Sequence, residues 1–295
     1  MYCSTSQPGA TPRHNWDAGR QQRREVAEET VKLLPGILED LPIKPDGYKW
    51  TQSETRRLDP MYCPNLNGQV RVVNGDTFDT AIRFDELFPR NNSINTKPVC
   101  VLNMANAIWA GGGFRNGSLA QEEELCYRSS LIFTLKLRFY PMKERETIYS
   151  PTVVIIRKGI NGDYELLDLK KPKSLPVVSV VSMAALYDPR LSWPASGPPT
   201  YKDPADRELM KEKMRVILCV AARNKHRRLV LGALGCGAFN NPREEVANCW
   251  AEVLREQEFQ GWWETIAFAI VPPPPSLRER SNLEIFEEVL DGLSI

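Results

Sequence analysis

Apolar positions along the chain change period several times, and each change marks an element. From Arg20 to Leu34, Val26, Val31, Leu33 and Leu34 fall near helical spacing, which predicts a helix stopped by Pro35-Gly36. Residues 1–18 are polar and aperiodic and predict a disordered leader, and the Pro- and Gly-bearing stretch 35–68 predicts an irregular connector. A regular alternation follows. Gln69–Val73 predicts a strand, Asp76-Thr77 the cap of a helix reaching about Phe88, and Pro98–Met104 a buried strand. A long helix is expected from Leu119 to Tyr140, with Cys126, Ser130, Phe133, Leu137 and Tyr140 along its inward stripe. Thr152–Arg157 and Val177–Met183 are β-branched runs that predict strands. After a proline-rich insertion at 187–204 come a helix at 203–225, a strand at 229–234 and a helix at 242–257. A strand at 265–271, a stiff PPPP connector at 272–275 and a helix at 282–293 complete the pattern. Strands alternating with helices predict an α/β layered fold.

Composition narrows the function classes. The 295 residues carry Lys+Arg 38 against Asp+Glu 37, a formal charge of +1, which argues against tracking nucleic acid by bulk electrostatics. No direct DNA binding is expected. No apolar run approaches the ~20 residues of a membrane helix, so no membrane partner is expected either. Seven cysteines without CxxC spacing predict reduced thiols and a cytoplasmic or nuclear protein. Only His14 and His226 are present, which leaves no histidine-rich metal site and almost no route to a Ser-His-Asp triad. Neither a metal nor a cofactor is called for. The basic run Lys225–Arg228 reads as a helix end complementing the dipole, and Trp262-Trp263 as core or lid packing.

Two glycine-rich connections carry the candidate chemistry. Each follows an apolar strand and opens a helix: Asn103–Glu124, containing Gly111, Gly112 and Gly113, and Leu234–Glu245, beginning Leu-Gly-Cys-Gly-Ala-Phe. At such places backbone N–H groups are unpaired, and glycine lets an anion approach them closely. One such loop is in most cases an ordinary strand-to-helix turn. Two together would suit a diphosphate, with its two charge centres. Gln121-Glu122-Glu123-Glu124 begins the helix only seven residues after Gly113. A solvated acidic first turn explains three glutamates by the dipole alone. The alternative is a carboxylate poised beside the glycine loop for acid–base work on a phosphate-bearing sugar. Adjacent glutamates and a bound diphosphate would disfavour ionisation, against the helix N-terminus, which favours it. Cys236 has no neighbouring histidine to activate it and reads as a small residue that permits close approach.

These residues resemble a known family. GGG, seven residues, then QEE is similar to the signature of the microbial-type poly(ADP-ribose) glycohydrolases. Asn103-Met104-Ala105-Asn106 resembles the Asn-x-Ala-Asn stretch of macrodomains, and Gly235–Phe239 their second diphosphate-facing loop. Ile285–Leu293 resembles the family's last helix. The resemblance implies a three-layer macrodomain-like fold, a mixed central sheet flanked by helices, over 69–295, with a helical extension and connector at 19–68. It implies hydrolysis of ribose–ribose O-glycosidic bonds, mainly from the polymer end, releasing ADP-ribose and reversing ADP-ribosylation. The implied partners are poly(ADP-ribose), ADP-ribose and ADP-ribosylated proteins. By position, Glu123 would protonate the leaving oxygen and then activate water, and Glu122 would hold ribose hydroxyls. Gln121 would shape the turn or meet substrate, and Asn106 would bond near that ribose. Gly111, Gly112, Gly113, Gly235, Cys236, Gly237, Ala238 and Phe239 would enclose the diphosphate, Phe239 packing on the distal sugar. Trp109-Ala110 departs from the family's usual Pro before the glycines, and Trp109 reads as core packing or as a site wall. Met183–Leu186 departs as well, which leaves any contact from that segment open. A non-catalytic ADP-ribose reader and a mono-ADP-ribosyl-protein hydrolase are the alternatives.

Overall fold

The computed structural model describes residues 12–87, 97–272 and 280–295. Its first helix, α1 (Pro12–Glu39), starts earlier and ends later than expected. Residues 12–18 are therefore helical instead of irregular, while residues 1–11 lie outside the described residues. Pro35 does not stop α1. Leu34, Ile37 and Leu38 are buried there against Val154, Ile156 and Leu175. Burying three such side chains at roughly 1.5–3 kcal/mol each outweighs the ~3 kcal/mol cost of an interior proline.

The connector contains an unforeseen strand, β1 (Tyr48–Trp50), before β2 (Gln69–Asn74) and α2 (Thr77–Leu87). Asp76 caps α2, its Oδ1 accepting from the N–H of Phe78 (2.8 Å) and of Asp79 (3.1 Å). After β3 (Cys100–Met104), the expected long helix is broken into α3 (Gln121–Arg128) and α4 (Leu131–Thr134). Ser129 and Ser130 cause the break. Ser129 Oγ donates back to the Leu125 carbonyl (2.7 Å), and Ser130 exchanges bonds with Val154 through both its backbone N–H and its Oγ (2.9 Å each). The supposed stripe is thus not one face, and Leu137 is exposed.

Next come β4 (Thr147–Val154), earlier than the expected 152–157, and β5 (Val177–Met183). Pro151 sits at the register irregularity between Ser150 and Val153, where a missing N–H is tolerated. Ile155 still donates to Pro176 O beside β5, while Ile156 and Arg157 donate to Arg128 O at the end of α3. The insertion forms a small hairpin, β6 (Leu191–Ser192) with β7 (Thr200–Tyr201). The rest follows expectation: α5 (Pro204–Arg223), β8 (Arg228–Leu231), α6 (Arg243–Leu254), β9 (Thr265–Ile270) and α7 (Asn282–Leu290). Residues 273–275 of the PPPP run lie outside the described residues.

Seven strands form a mixed sheet in the order β1-β4-β5-β3-β8-β9-β2. β5, β3, β8, β9 and β2 are parallel to one another, and β4 and β1 are antiparallel additions at one side. Side chains alternate between two cores. Leu102, Leu229, Leu231, Ile266 and Phe268 meet α5, α6 and α7, whereas Val101, Val230 and Ala267 meet α1, α2 and α3. The result is the three-layer α/β/α arrangement that the resemblance implies. Because β5, β3 and β8 are neighbours and parallel, the segments leaving their C-terminal ends gather at one edge of the sheet.

Candidate active site

The segment leaving β3 is held by its own side chains. Asn106 Oδ1 accepts from the N–H of Ile108 (2.8 Å) and of Trp109 (3.0 Å), fixing the turn into the glycines. Trp109 O then accepts from Gly112 N, and Gly111 O from Phe114 N, each at 3.0 Å. Trp109 itself is 68% exposed, which corrects the core-packing expectation. Gln121 mimics a strand neighbour. Its Nε2 donates to Leu102 O (2.7 Å) and its Oε1 accepts from Met104 N (2.9 Å), so the start of α3 is stitched to the end of β3.

All three glutamates are buried, which sets aside a solvated acidic turn. They split by role. Glu122 Oε2 accepts from Asn106 N (2.7 Å), and its Oε1 faces Asn103 Nδ2 (3.3 Å). Glu123 Oε1 accepts from Gly113 N (2.7 Å), and Oε2 has no hydrogen-bond partner among the described residues. Glu124 turns away, binding Tyr164 OH (2.6 Å) and Ile160 N (3.1 Å). Burial pushes the Glu122 carboxyl up to about 8, against the lowering effect of its Asn106 and Asn103 donors, with the Glu123 charge adding to the rise. Burial therefore favours the protonated form of Glu122. Among the described residues Asn103 Oδ1 is buried without a partner, and turning that amide over would offer the Glu122 proton an acceptor.

The triple glycine wraps these carboxylates. A Cβ on Gly112, where φ is +55°, would lie 2.5 Å from Glu123 Oε1 and 3.1 Å from Glu122 Oε2. On Gly111 it would strike Ile132 at 2.7 Å, and on Gly113 it would overlap Ser118. The second loop, leaving β8, is held by Asn241, whose Nδ2 donates to Leu186 O (2.7 Å), Phe239 O (3.1 Å) and Gly235 O (3.2 Å). Its Oδ1 accepts from Tyr201 OH (2.9 Å). Gly235 (φ +77°) has no room for a Cβ beside Asn241 and Ala185, whereas Gly237 faces open space. Gly237 and Ala238 are exposed, and Cys236 and Phe239 are partly buried. Phe239 packs edge-on to Tyr187, ring centroids 5.2 Å apart. Burial raises the Cys236 thiol well above its ordinary range, so it stays protonated.

The residues singled out by spacing thus gather at the β3 and β8 ends, with Leu186 linking them to the segment after β5. Asn241, Tyr201, Asn103 and Ser182, which binds Asn103 Nδ2 at 3.0 Å, were missed. Only Asn103 had a visible signal, as the first residue of Asn-x-Ala-Asn. Of the run Lys225–Arg228 only Lys225 is exposed. His226 is buried between Tyr149 OH (2.8 Å) and Pro98 O (3.0 Å), Arg227 lies over Trp262, and Arg228 is buried in β8. Trp262 and Trp263 are core residues, as expected. Among the described residues no cluster of His, Cys, Asp or Glu could hold a metal, and no helix is long and apolar enough to cross a membrane.

Comparison with known proteins agrees with this geometry. The family described as the microbial-type PARG (poly(ADP-ribose) glycohydrolase) catalytic domain matches residues 48–158, a span that holds the first loop and the glutamates. The poly(ADP-ribose) glycohydrolase from Thermomonospora curvata shares the fold, with a TM-score of 0.71 at 22% identity over 92% of this chain and 100% of its own. Its structure bound to the inhibitor ADP-HPD gives 0.70 at 23%, over 91% and 99%. The enzyme from Deinococcus radiodurans in complex with ADP-ribose gives 0.65 at 27%, over 86% and 96%. Among curated proteins none matches the chain in sequence. The resemblance to microbial-type enzymes is borne out in sequence over 48–158 and in fold across the chain.

Proposed function

We propose that this chain, similar to the microbial-type poly(ADP-ribose) glycohydrolases in its 48–158 segment and its fold, hydrolyses ribose–ribose O-glycosidic bonds to release ADP-ribose. One observation carries the reading: two buried carboxyls stand against a triple-glycine loop, and one keeps an oxygen free. Glu122 has both oxygens engaged and burial favours its protonated form, so it suits holding a ribose hydroxyl. Glu123 Oε1 is anchored, which aims Oε2 at substrate.

In the reaction the anomeric C–O bond breaks, and the leaving ribose oxygen takes from Glu123 Oε2 the one proton that the Glu122–Glu123 pair keeps while the substrate's diphosphate is bound. Water then adds to the oxocarbenium-like carbon and returns its proton to Glu123. A diphosphate on the loops brings negative charge that stabilises the cationic centre and favours keeping a proton on the carboxyl pair. The exposed backbone at Gly237 and Ala238 suits that diphosphate, with Phe239 against the distal sugar. Release from the polymer end, ADP-ribosylated proteins as carriers of the substrate, and a reducing compartment, in line with the six free cysteines described, belong to this reading.

Incubation with poly(ADP-ribose) and with mono-ADP-ribosylated protein, following released ADP-ribose, tests it. Glu123→Gln should lower release from the polymer by about 10²–10⁴-fold, the usual worth of a general acid–base. Undiminished release would overturn the assignment. Tight ADP-ribose binding without turnover would make the chain a reader, and release from mono-ADP-ribosylated protein alone would move the cleavage to the protein linkage.

A further inference from the structure

One group of cationic side chains has no part in the chemistry above. Arg20, Arg23 and Arg24 of α1 lie against the turn that follows the triple glycine. Arg20 Nε (2.8 Å) and Arg24 Nε (3.2 Å) donate to the same carbonyl, that of Asn116, and Arg23 Nε donates to Gly117 O (2.9 Å). Gly117 has φ +73°, and its α-carbon faces the Arg20 backbone too closely for any side chain, so helix and turn are in direct contact. Arg115, on the same turn, is exposed.

Each Nε is used on a carbonyl, which leaves the terminal nitrogens of three guanidinium groups as donors. Among the described residues none of these four arginines makes an ion pair, although Asp17, Glu25 and Glu28 share the helix. Arg128, Arg157, Arg207 and Arg215 are, by contrast, each paired with carboxylates. Like charges held side by side by neutral carbonyls repel, and a multivalent anion relieves that repulsion. Guanidinium forks match phosphate oxygens in geometry. The turn begins at Gly113, whose N–H binds Glu123, so the cluster borders the candidate active site.

We propose that Arg20, Arg23, Arg24 and Arg115 form a second anion subsite, taking the diphosphate of an ADP-ribose unit that adjoins the one being hydrolysed. The proposal rests on the polymer reading above. It reconciles a chain of net charge +1 with a polyanionic substrate: the positive charge is local and placed where a second unit would pass.

The test uses the full chain carrying Glu123→Gln, so that polymer persists, and compares affinity for long poly(ADP-ribose) with affinity for free ADP-ribose. Arg24→Gln with Arg115→Gln should weaken polymer binding by about tenfold, with ADP-ribose affinity unchanged. The slope of log affinity against log salt should also flatten, by roughly one for each phosphate no longer neutralised. Arg24→Lys with Arg115→Lys should restore most of the polymer affinity. Equal weakening for both ligands would show that the arginines only position the turn, and no change for either would also overturn the subsite. Failure of the Glu123→Gln parent to bind either ligand would instead sink the functional reading, and this subsite with it.

Discussion

The two glycine-rich loops look alike in sequence and are glycine-rich for different reasons. In the first, the protein's own side chains fill the space: Gly111 abuts Ile132 and Cys126, Gly112 the two carboxyls, and Gly113 Ser118. In the second, Gly235 makes room for the Asn241 pin, but Gly237 has nothing within 4 Å. The first loop is therefore a clamp on the two carboxyls, and the second presents bare backbone outward, the arrangement an anion needs. The two loops thus differ in what their glycines face, the first the protein's own side chains and the second open space.

The largest effect should come from the clamp. Gly112→Ala forces a Cβ into the Glu123 carboxylate at a positive φ, costing about 1–3 kcal/mol and moving the acid. Polymer hydrolysis should fall by about 10²-fold or more, measured as released ADP-ribose. Retained activity would mean that the clamp is not needed.

Asn241→Ala strips Leu186 O of its donor, leaves Gly235 O and Phe239 O with their backbone donors alone, and leaves Tyr201 OH unpaired, at a cost of about 2–3 kcal/mol. Thermal unfolding should shift down by several degrees, with ADP-ribose affinity reduced. An unchanged Tm would show that the second loop holds itself.

The buried acid gives a pH signature. The folded-state value of Glu122, about 8, lies above its ordinary 4.5, so the fold retains a proton that the unfolded chain releases. Stability from this group is full below 4.5, declines as pH rises from there to about 8, and then levels off. His226 works in the opposite direction. Burial lowers it from 6.5 to about 4, so stability is lost as pH falls through that interval. Between pH 6.5 and 8 only the Glu122 slope remains of the two, and Glu122→Gln should flatten it in denaturant titrations. A slope unchanged by the substitution would place that proton elsewhere.

Gly237→Ala should have the smallest effect on stability, within about 0.5 kcal/mol, while weakening ADP-ribose binding several-fold. A stability loss as large as that of Gly112→Ala would erase the distinction between the loops.

Legibility followed locality. The strands β2, β5, β8 and β9 and the helices α2, α5, α6 and α7 were readable because their apolar periods and caps lie within a few residues, as with Asp76 and Asp203. The break in the long helix was not, because Ser129 and Ser130 act through Val154, a partner from another element. Pro35 misled for a similar reason: its cost is local, but the packing of Leu34, Ile37 and Leu38 that overrides it is not. Within the site, the glutamates and glycines stood out by spacing, whereas Asn241 did not. Its role exists only once residues 186, 235 and 239 come together around it.

By itself, then, the chain's order of residues determined an α/β layered fold, two strand-to-helix loops and a pair of adjacent carboxyls beside three glycines, all of them properties of neighbours along the backbone. Tertiary structure alone decided which glutamate turns away, which one burial pushes toward its protonated form, which glycine faces open space, and that α1 lays its arginines on the turn after the triple glycine. Those outcomes depend on burial and on partners distant in sequence, and both come into being only when the layers close.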